Sequence, residues 1–172
     1  VEANDDLMIL EEAFEPEDYA ICVAKENTDL KDQINAALAT LKENGTLDNI
    51  IANYIGEDDV QGTMPYVSSN TDYSNGKLVM VTEATFPPYE YYEGGDGKIV
   101  GIDVDLAQAI ADILKMELEV QDIAFDSIVT SVQTGKADIG VAGLTITEDR
   151  LVNVDFTEPY TTSTQVIIVR AK

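Results

Sequence analysis

Three short stretches carry side chains able to do chemistry, and each lies just past a strand-like run. After Leu78–Val81 come Glu83, Thr85 and Phe86, followed by Pro87-Pro88. After Leu118–Val120 comes Phe125, and after Ile139–Val141 come Ala142-Gly143-Leu144-Thr145, with Arg150 five residues further on. Brought together, these loops supply two aromatic faces, main chain bared around a glycine, a hydroxyl and a guanidinium. Such a set suits a small zwitterion. Arg150 can hold a carboxylate through two parallel hydrogen bonds, Gly143 lets main chain approach closely, and the two Phe rings can cover an aliphatic stem. Each residue also has a plainer competing role: a solvated charge for Arg150 and Glu83, core packing for Phe86 and Phe125, tight packing for Gly143 and Thr145.

For these loops to converge, the runs before them must lie in one sheet and end at one edge. From Lys77 onward, strand and helix patterns alternate. Lys77–Val81, Glu117–Val120, Asp138–Val141, Val152–Phe156 and Gln165–Arg170 read as strands. Tyr89–Glu93 and Lys98–Gly101 read as a hairpin around Gly94-Gly95-Asp96-Gly97. One helix carries Leu106, Ala107, Ile110, Ile113 and Leu114, with Asp103 read as its cap and not as a ligand contact. Another carries Ile128, Val129 and Val132, capped by Asp126 and stopped by Gly135. This alternation predicts an α/β fold with a mostly parallel sheet covered on both faces, whose ligands bind beyond the carboxyl ends of the strands.

A separate block precedes it, from about Leu7 to Ile55. Tyr19–Ala24 is a nearly continuous apolar run, as expected of a strand buried on both faces. Leu30, Ile34, Leu38 and Leu41 recur at helical spacing, with Asn27 or Thr28 to cap and Gly45 to stop the helix. Thr46 is read as the cap of a second helix bearing Leu47, Ile50, Ile51 and Tyr54. Between the blocks, Gly56–Gly76 loses all periodicity and reads as a flexible tether.

Composition narrows the chemistry further. The chain has 172 residues, with 10 Lys+Arg against 33 Asp+Glu, a net charge of −23. That field repels phosphate backbones and excludes nucleic acid as a partner. There is no histidine, so His-based catalysis and His-ligated metals are excluded, and no cofactor is expected. The single cysteine, Cys22, sits in an apolar run and reads as a buried small hydrophobe. No apolar run approaches the ~20 residues that span a bilayer, and any export signal is expected outside these residues.

The ordered motifs resemble those of the bacterial extracellular solute-binding proteins of family 3, the polar amino-acid-binding proteins of ABC importers. The resemblance rests on Val81-Thr82-Glu83-Ala84-Thr85-Phe86-Pro87-Pro88-Tyr89-Glu90, Gly101-Ile102-Asp103-Val104-Asp105-Leu106, Phe125-Asp126, Ala142–Arg150 and Val154–Tyr160. The first block is similar to the end of the same family in Glu17–Ile21, Leu38–Thr46 and Tyr54-Ile55-Gly56. The resemblance implies a periplasmic-binding-protein type II lobe: a mostly parallel five-stranded sheet flanked by helices. Residues 1–56 would be the C-terminal piece of lobe one, 57–76 a linker, and 77–172 the N-terminal piece, in reversed order and without the second lobe. A linker of ~20 residues reaches up to ~65 Å, so both pieces can complete one sheet in one monomer, with Tyr19–Ala24 inserted between strands of the later block. A dimer exchanging first blocks is the alternative.

The same resemblance implies site roles. Arg150 would bind an α-carboxylate, assisted by main-chain N–H groups near Thr145. The Gly143 carbonyl and Thr145 hydroxyl would meet the α-ammonium, Phe86 and Phe125 would sandwich the ligand, and Glu83 would border its side chain. Phe86, Phe125, Gly143 and Thr145 together suggest a glutamine-like ligand. The implied function is extracytoplasmic capture of a polar L-amino acid for an ABC permease, weak without the second lobe, with anchoring through the rest of the parent protein. A sensor module of a membrane receptor or kinase is the alternative. A dehydratase-type enzyme of the same fold is disfavoured, because no second acid or base accompanies Glu83 in the sequence.

Overall fold

The alternation Leu78-Val79-Met80-Val81 places successive side chains on opposite faces of a strand. Leu78 and Met80 enter one hydrophobic core, and Val79 and Val81 enter another. A sheet with two apolar faces needs a layer on each side, and the rest of the chain supplies both. The computed structural model describes residues 6–94 and 97–171, with backbone alone at 11–13.

In chain order the first elements are β1 (Leu7–Ala13), β2 (Glu17–Tyr19), β3 (Cys22–Ala24), α1 (Thr28–Glu43) and α2 (Thr46–Ile55). Then come β4 (Lys77–Thr82), β5 (Thr85–Phe86), β6 (Glu90–Glu93), β7 (Lys98–Val100), α3 (Ile102–Leu114) and β8 (Glu117–Asp122). Last are α4 (Ile128–Gln133), β9 (Ile139–Gly140), α5 (Glu148–Leu151), β10 (Val154–Phe156), β11 (Thr161–Ser163) and β12 (Val166–Arg170). The central sheet has the order β10-β3-β9-β4-β8. β4 runs parallel to β8 and β9, while β3 runs antiparallel to β9 and β10. Four strands therefore share one direction and β3 alone opposes them, so the sheet is five-stranded and mostly parallel as expected.

One core, with Ile21, Val23, Ile34, Leu38, Leu106 and Ile110, lies under α1, α2 and α3; the other, with Cys22, Ile128, Val132 and Val154, lies under α4. Each fully buried aliphatic side chain contributes roughly 1.5–3 kcal/mol. Gly140 is small for a packing reason, since a Cβ there would stand 2.6 Å from Ile128 Cγ2 and 2.7 Å from Cys22 Sγ. Burial pushes the Cys22 thiol up to about 12, consistent with a packing residue.

The apolar run Tyr19–Ala24 is one buried path that changes partners midway. β2 pairs with β11, β3 pairs with β9 and β10, and Thr157 bridges the break: the Ile21 N–H donates to Thr157 Oγ1 at 3.1 Å. β1 and β12 form a separate antiparallel ribbon. The segment 57–76 carries no helix or strand, yet it is pinned rather than loose. The Met64 N–H donates to Asn53 Oδ1 at 2.8 Å, Tyr66 donates to Asp112 at 2.8 Å, and Asn75 Nδ2 donates to the Leu114 carbonyl at 2.8 Å. Its missing periodicity marks an irregular path over α2 and α3.

Several expected caps differ. Gly45 ends α1 in the left-handed region, φ 76°, as expected, but the same residue is also the N-cap of α2, and Thr46 makes no capping bond. Asn27 occupies the cap of α1 without a side-chain bond. Asp126 lies within a 3₁₀ turn, Phe125–Ser127, ahead of α4 rather than at its cap. Ile113 faces outward at 42% exposure. The hairpin forms between β6 and β7, while Gly95-Asp96 of its expected turn lies outside the described residues. Among the described residues, no helix is long and apolar enough to cross a membrane.

Candidate functional site

The loops after β4, β8 and β9 meet at one cavity of about 360 Å³. Glu83, Phe86, Phe125, Gly143, Thr145 and Arg150 all line it, together with Glu17, Tyr19, Thr85, Glu90 and Ala142. Parallel strands end at the same sheet edge, so the turns that follow them are neighbours whatever their separation in sequence.

Arg150 is held from several sides. Thr147 caps the start of α5, its hydroxyl oxygen accepting from the Arg150 backbone N–H at 3.3 Å. Arg150 Nη1 donates to the Thr145 carbonyl at 2.8 Å, and Cζ stands 5.4 Å from the Phe125 ring centroid. A guanidinium has five N–H donors, so one bond fixes the side chain while its fork keeps donors for an anion. Phe86 is 39% exposed and stacks on Tyr89 at 5.4 Å, and Tyr19 meets Tyr89 edge-on at 5.3 Å. The two Phe rings thus have different supports: Phe125 beneath the cation and Phe86 on a tyrosine stack.

Gly143 is required on two counts. Its φ is +51°, and a Cβ there would lie 2.9 Å from Phe86 Cε1. Gly143→Ala is expected to cost about 1–3 kcal/mol of stability and to displace the Phe86 ring. Urea unfolding and the aromatic NMR resonances check both effects; an unchanged Phe86 environment would contradict the close approach.

Asp103 corrects an expectation. It does not cap α3, whose N-cap is Gly101 with no side-chain bond. Asp103 is instead 0% exposed: Oδ2 accepts from the Gly143 N–H at 2.9 Å and Oδ1 from Tyr160 Oη at 2.8 Å. A buried carboxylate needs donors, and these two tie α3 to the cavity floor. Glu90, also buried, lies beside it.

Sequence reasoning missed Glu17, Tyr19 and Glu90 as cavity walls. Tyr19 reaches the site because β2 makes an isolated bridge to Thr145, a contact across 126 positions that local pattern does not reveal. Glu90 is the buried first residue of β6, but alternation pairs it with the exposed Tyr92, so local pattern does not reveal it either. Among the described residues, no group of three or more His, Cys, Asp or Glu side chains could hold a metal ion.

The chain is 41% identical over 103 residues to the arginine-binding extracellular protein ArtP of Bacillus subtilis (strain 168), covering 59% of this chain and 40% of that protein. It is 36% identical over 94 residues to the ABC transporter arginine-binding protein 1 of Escherichia coli (strain K12), covering 55% and 38%. The chain thus spans about two-fifths of these relatives. Among solved structures, an ancestral arginine-binding protein bound to arginine is 48% identical, with a TM-score of 0.48 over 50% of this chain and 38% of that one. An ancestral cyclohexadienyl dehydratase is 30% identical, with a TM-score of 0.48 over 51% and 36%. These two relatives are binding proteins, and the dehydratase is an enzyme among the structural neighbours. Residues 78–172, more than half of the chain, match the bacterial extracellular solute-binding proteins, family 3, and the chain belongs to that family.

Proposed function

We propose that this chain is one lobe of a two-lobed extracytoplasmic binding protein, and that its cavity holds the backbone end of a polar L-amino acid. One observation carries the reading. The Arg150 guanidinium is fixed by the Thr145 carbonyl and stands 5.4 Å from the Phe125 ring, inside the cavity that Phe86 and Gly143 also line. A cation so held is poised for a two-pronged grip on an α-carboxylate. The Gly143 carbonyl and Thr145 hydroxyl are the acceptors for the α-ammonium, Phe86 and Phe125 enclose the stem, and Glu83 borders the side chain.

Charge favours a basic side chain over the glutamine-like one. The carboxylates Glu17 and Glu83 line the cavity, and Arg150 is its one cationic lining residue among those described. The two curated relatives named above are arginine-binding proteins, which supports the same choice. Residues 1–56 and 77–172 are the two pieces of the lobe, joined through 57–76 in a monomer. In the parent protein the ligand passes to an ABC permease, and the rest of that protein anchors it outside the cytoplasm. The lobe binds and does not catalyse: Glu90 of the cavity wall is buried with Asp103 behind it rather than set across a reacting bond from a second acid or base.

Half of a hinged clamp forfeits the contacts of its partner lobe. L-arginine is therefore expected to bind this chain with a dissociation constant on the order of 1 mM, about −4 kcal/mol, in an NMR titration that perturbs Phe125 and Arg150 first. Submicromolar affinity would refute the need for a second lobe. No perturbation by any common L-amino acid would refute the cradle.

A further inference from the structure

Glu90 points inward from β6 and is only 1% exposed, yet it borders the cavity. Asp103, at the second position of α3, is 0% exposed, and the two carboxyl groups are hydrogen-bonded to one another. Two ionised carboxylates cannot make that bond, so one proton lies between them. Its owner follows from the surroundings. Asp103 already accepts from the Gly143 N–H and from Tyr160 Oη, donors that favour its ionised form. Glu90 has no such donors, and its Oε2 has no hydrogen-bond partner among the described residues. The proton therefore sits on Glu90, leaving one buried acceptor of the cavity wall unmet. An unmet buried acceptor is costly, and a ligand N–H can recover that cost.

Resting on the reading of this cavity as an amino-acid site, we propose that Glu90 is its specificity-determining residue. A guanidinium or ammonium group on the ligand's side chain donates to Glu90 Oε2, and the proton that Glu90 shares with Asp103 leaves for solvent as that cation seats. The Glu90 O–H bond breaks, its electron pair stays on the carboxylate, and the departing charge is replaced by the ligand's. A neutral amide side chain meets the same oxygen without displacing the proton.

The charges around the pair agree with this. Burial first, and then the charge of Asp103, hold the Glu90 carboxyl well above the usual carboxylate range, and Glu83 beyond β4 adds to the effect. Burial also raises Asp103 against its donors. Tyr89 and Tyr160 are the other titratable groups packed nearby, while Glu17 of β2 and Arg150 of α5 share the cavity. In the free chain Glu90 keeps its proton through neutral pH, and a bound cation lowers that threshold. Between the free and bound thresholds each binding event releases one proton, so affinity rises with pH by up to about tenfold per unit.

The test uses the whole chain with L-arginine and L-glutamine. NMR follows the Glu90 carboxyl carbon, and calorimetry at pH 6 to 8 in phosphate and in Tris counts protons released. The expected result is a protonated Glu90 in the free chain, ionised on adding arginine. Arginine should bind at least about tenfold tighter at pH 8 than at pH 6, with roughly one proton released, and glutamine should show neither effect. Glu90→Gln, which preserves the bond to Asp103, should abolish both the pH dependence of arginine binding and its proton release. A Glu90 already ionised in the free chain at pH 6, or arginine binding without proton release, overturns the proposal while leaving the amino-acid site standing. If neither amino acid binds at any pH, the site itself falls and the proposal with it.

Discussion

Arg150→Ala is expected to weaken arginine binding by at least about 100-fold, because each charge-assisted hydrogen bond lost from a carboxylate grip costs about 1.5–3 kcal/mol. Phe125 loses its cation as well, a smaller effect of about 0.5–1 kcal/mol. Stability should change far less, since the guanidinium makes one bond within the protein, to the Thr145 carbonyl, and α5 is only four residues long. Arg150→Lys retains charge but not the planar fork, so it should recover only part of the loss. Ligand titrations by NMR, run beside thermal melts, separate the two effects. Equal affinity in the wild type and Arg150→Ala would remove the carboxylate anchor from the mechanism.

The largest expected loss of stability is at Gly101. Its φ of 132° lies where L side chains rarely go, and a Cβ would stand 2.1 Å from the Tyr89 carbonyl oxygen and 2.5 Å from the Tyr89 carbonyl carbon. Backbone on both sides cannot yield as a flexible side chain would. Ile102 and Asp103 donate their N–H groups to the Pro88 and Tyr89 carbonyls at 3.1 and 3.0 Å, so moving either strand end breaks the seat of α3. Gly101→Ala should cost several kcal/mol, on the order of the strain of a forbidden backbone region plus lost packing, and should leave little folded protein at 37 °C. Gly45→Ala is the control. Gly45 also has positive φ, 76°, but nothing lies within 4 Å of the added Cβ, so the cost should be near 1 kcal/mol. Urea midpoints that fall equally for both variants would show that conformation alone, and not the close approach, sets the requirement at Gly101.

Much of this architecture was legible because it is written in short-range pattern. The alternation in Leu78–Val81 and the helical stripe through Leu106 and Ile110 are local properties, and they locate the sheet and the helix that covers it. The six candidate residues were legible because each follows a strand, and parallel strands bring their following turns to one edge. What escaped was what distant contacts decide. Asp103 looked like a cap because caps are local, but its partners Gly143 and Tyr160 lie 40 and 57 positions away. Glu17 and Tyr19 became cavity walls through pairing with β11 and the bridge to Thr145. The segment 57–76 read as loose because its anchors, Asn53, Asp112 and Leu114, all lie outside it.

The placement of β3 governs how this protein must fold. Cys22 aligns with Phe156 on one side and with Gly140 on the other, so the sheet stays in two parts until a strand made more than 100 residues earlier slots between β9 and β10. Closing a chain loop that long before any pairing rewards it lowers the refolding rate. Until that moment β9 and β10 present bare edges, each a template for another molecule's strand. Refolding yield should therefore fall as protein concentration rises, and a synthetic peptide of residues 15–26 added in trans should restore it by occupying the gap.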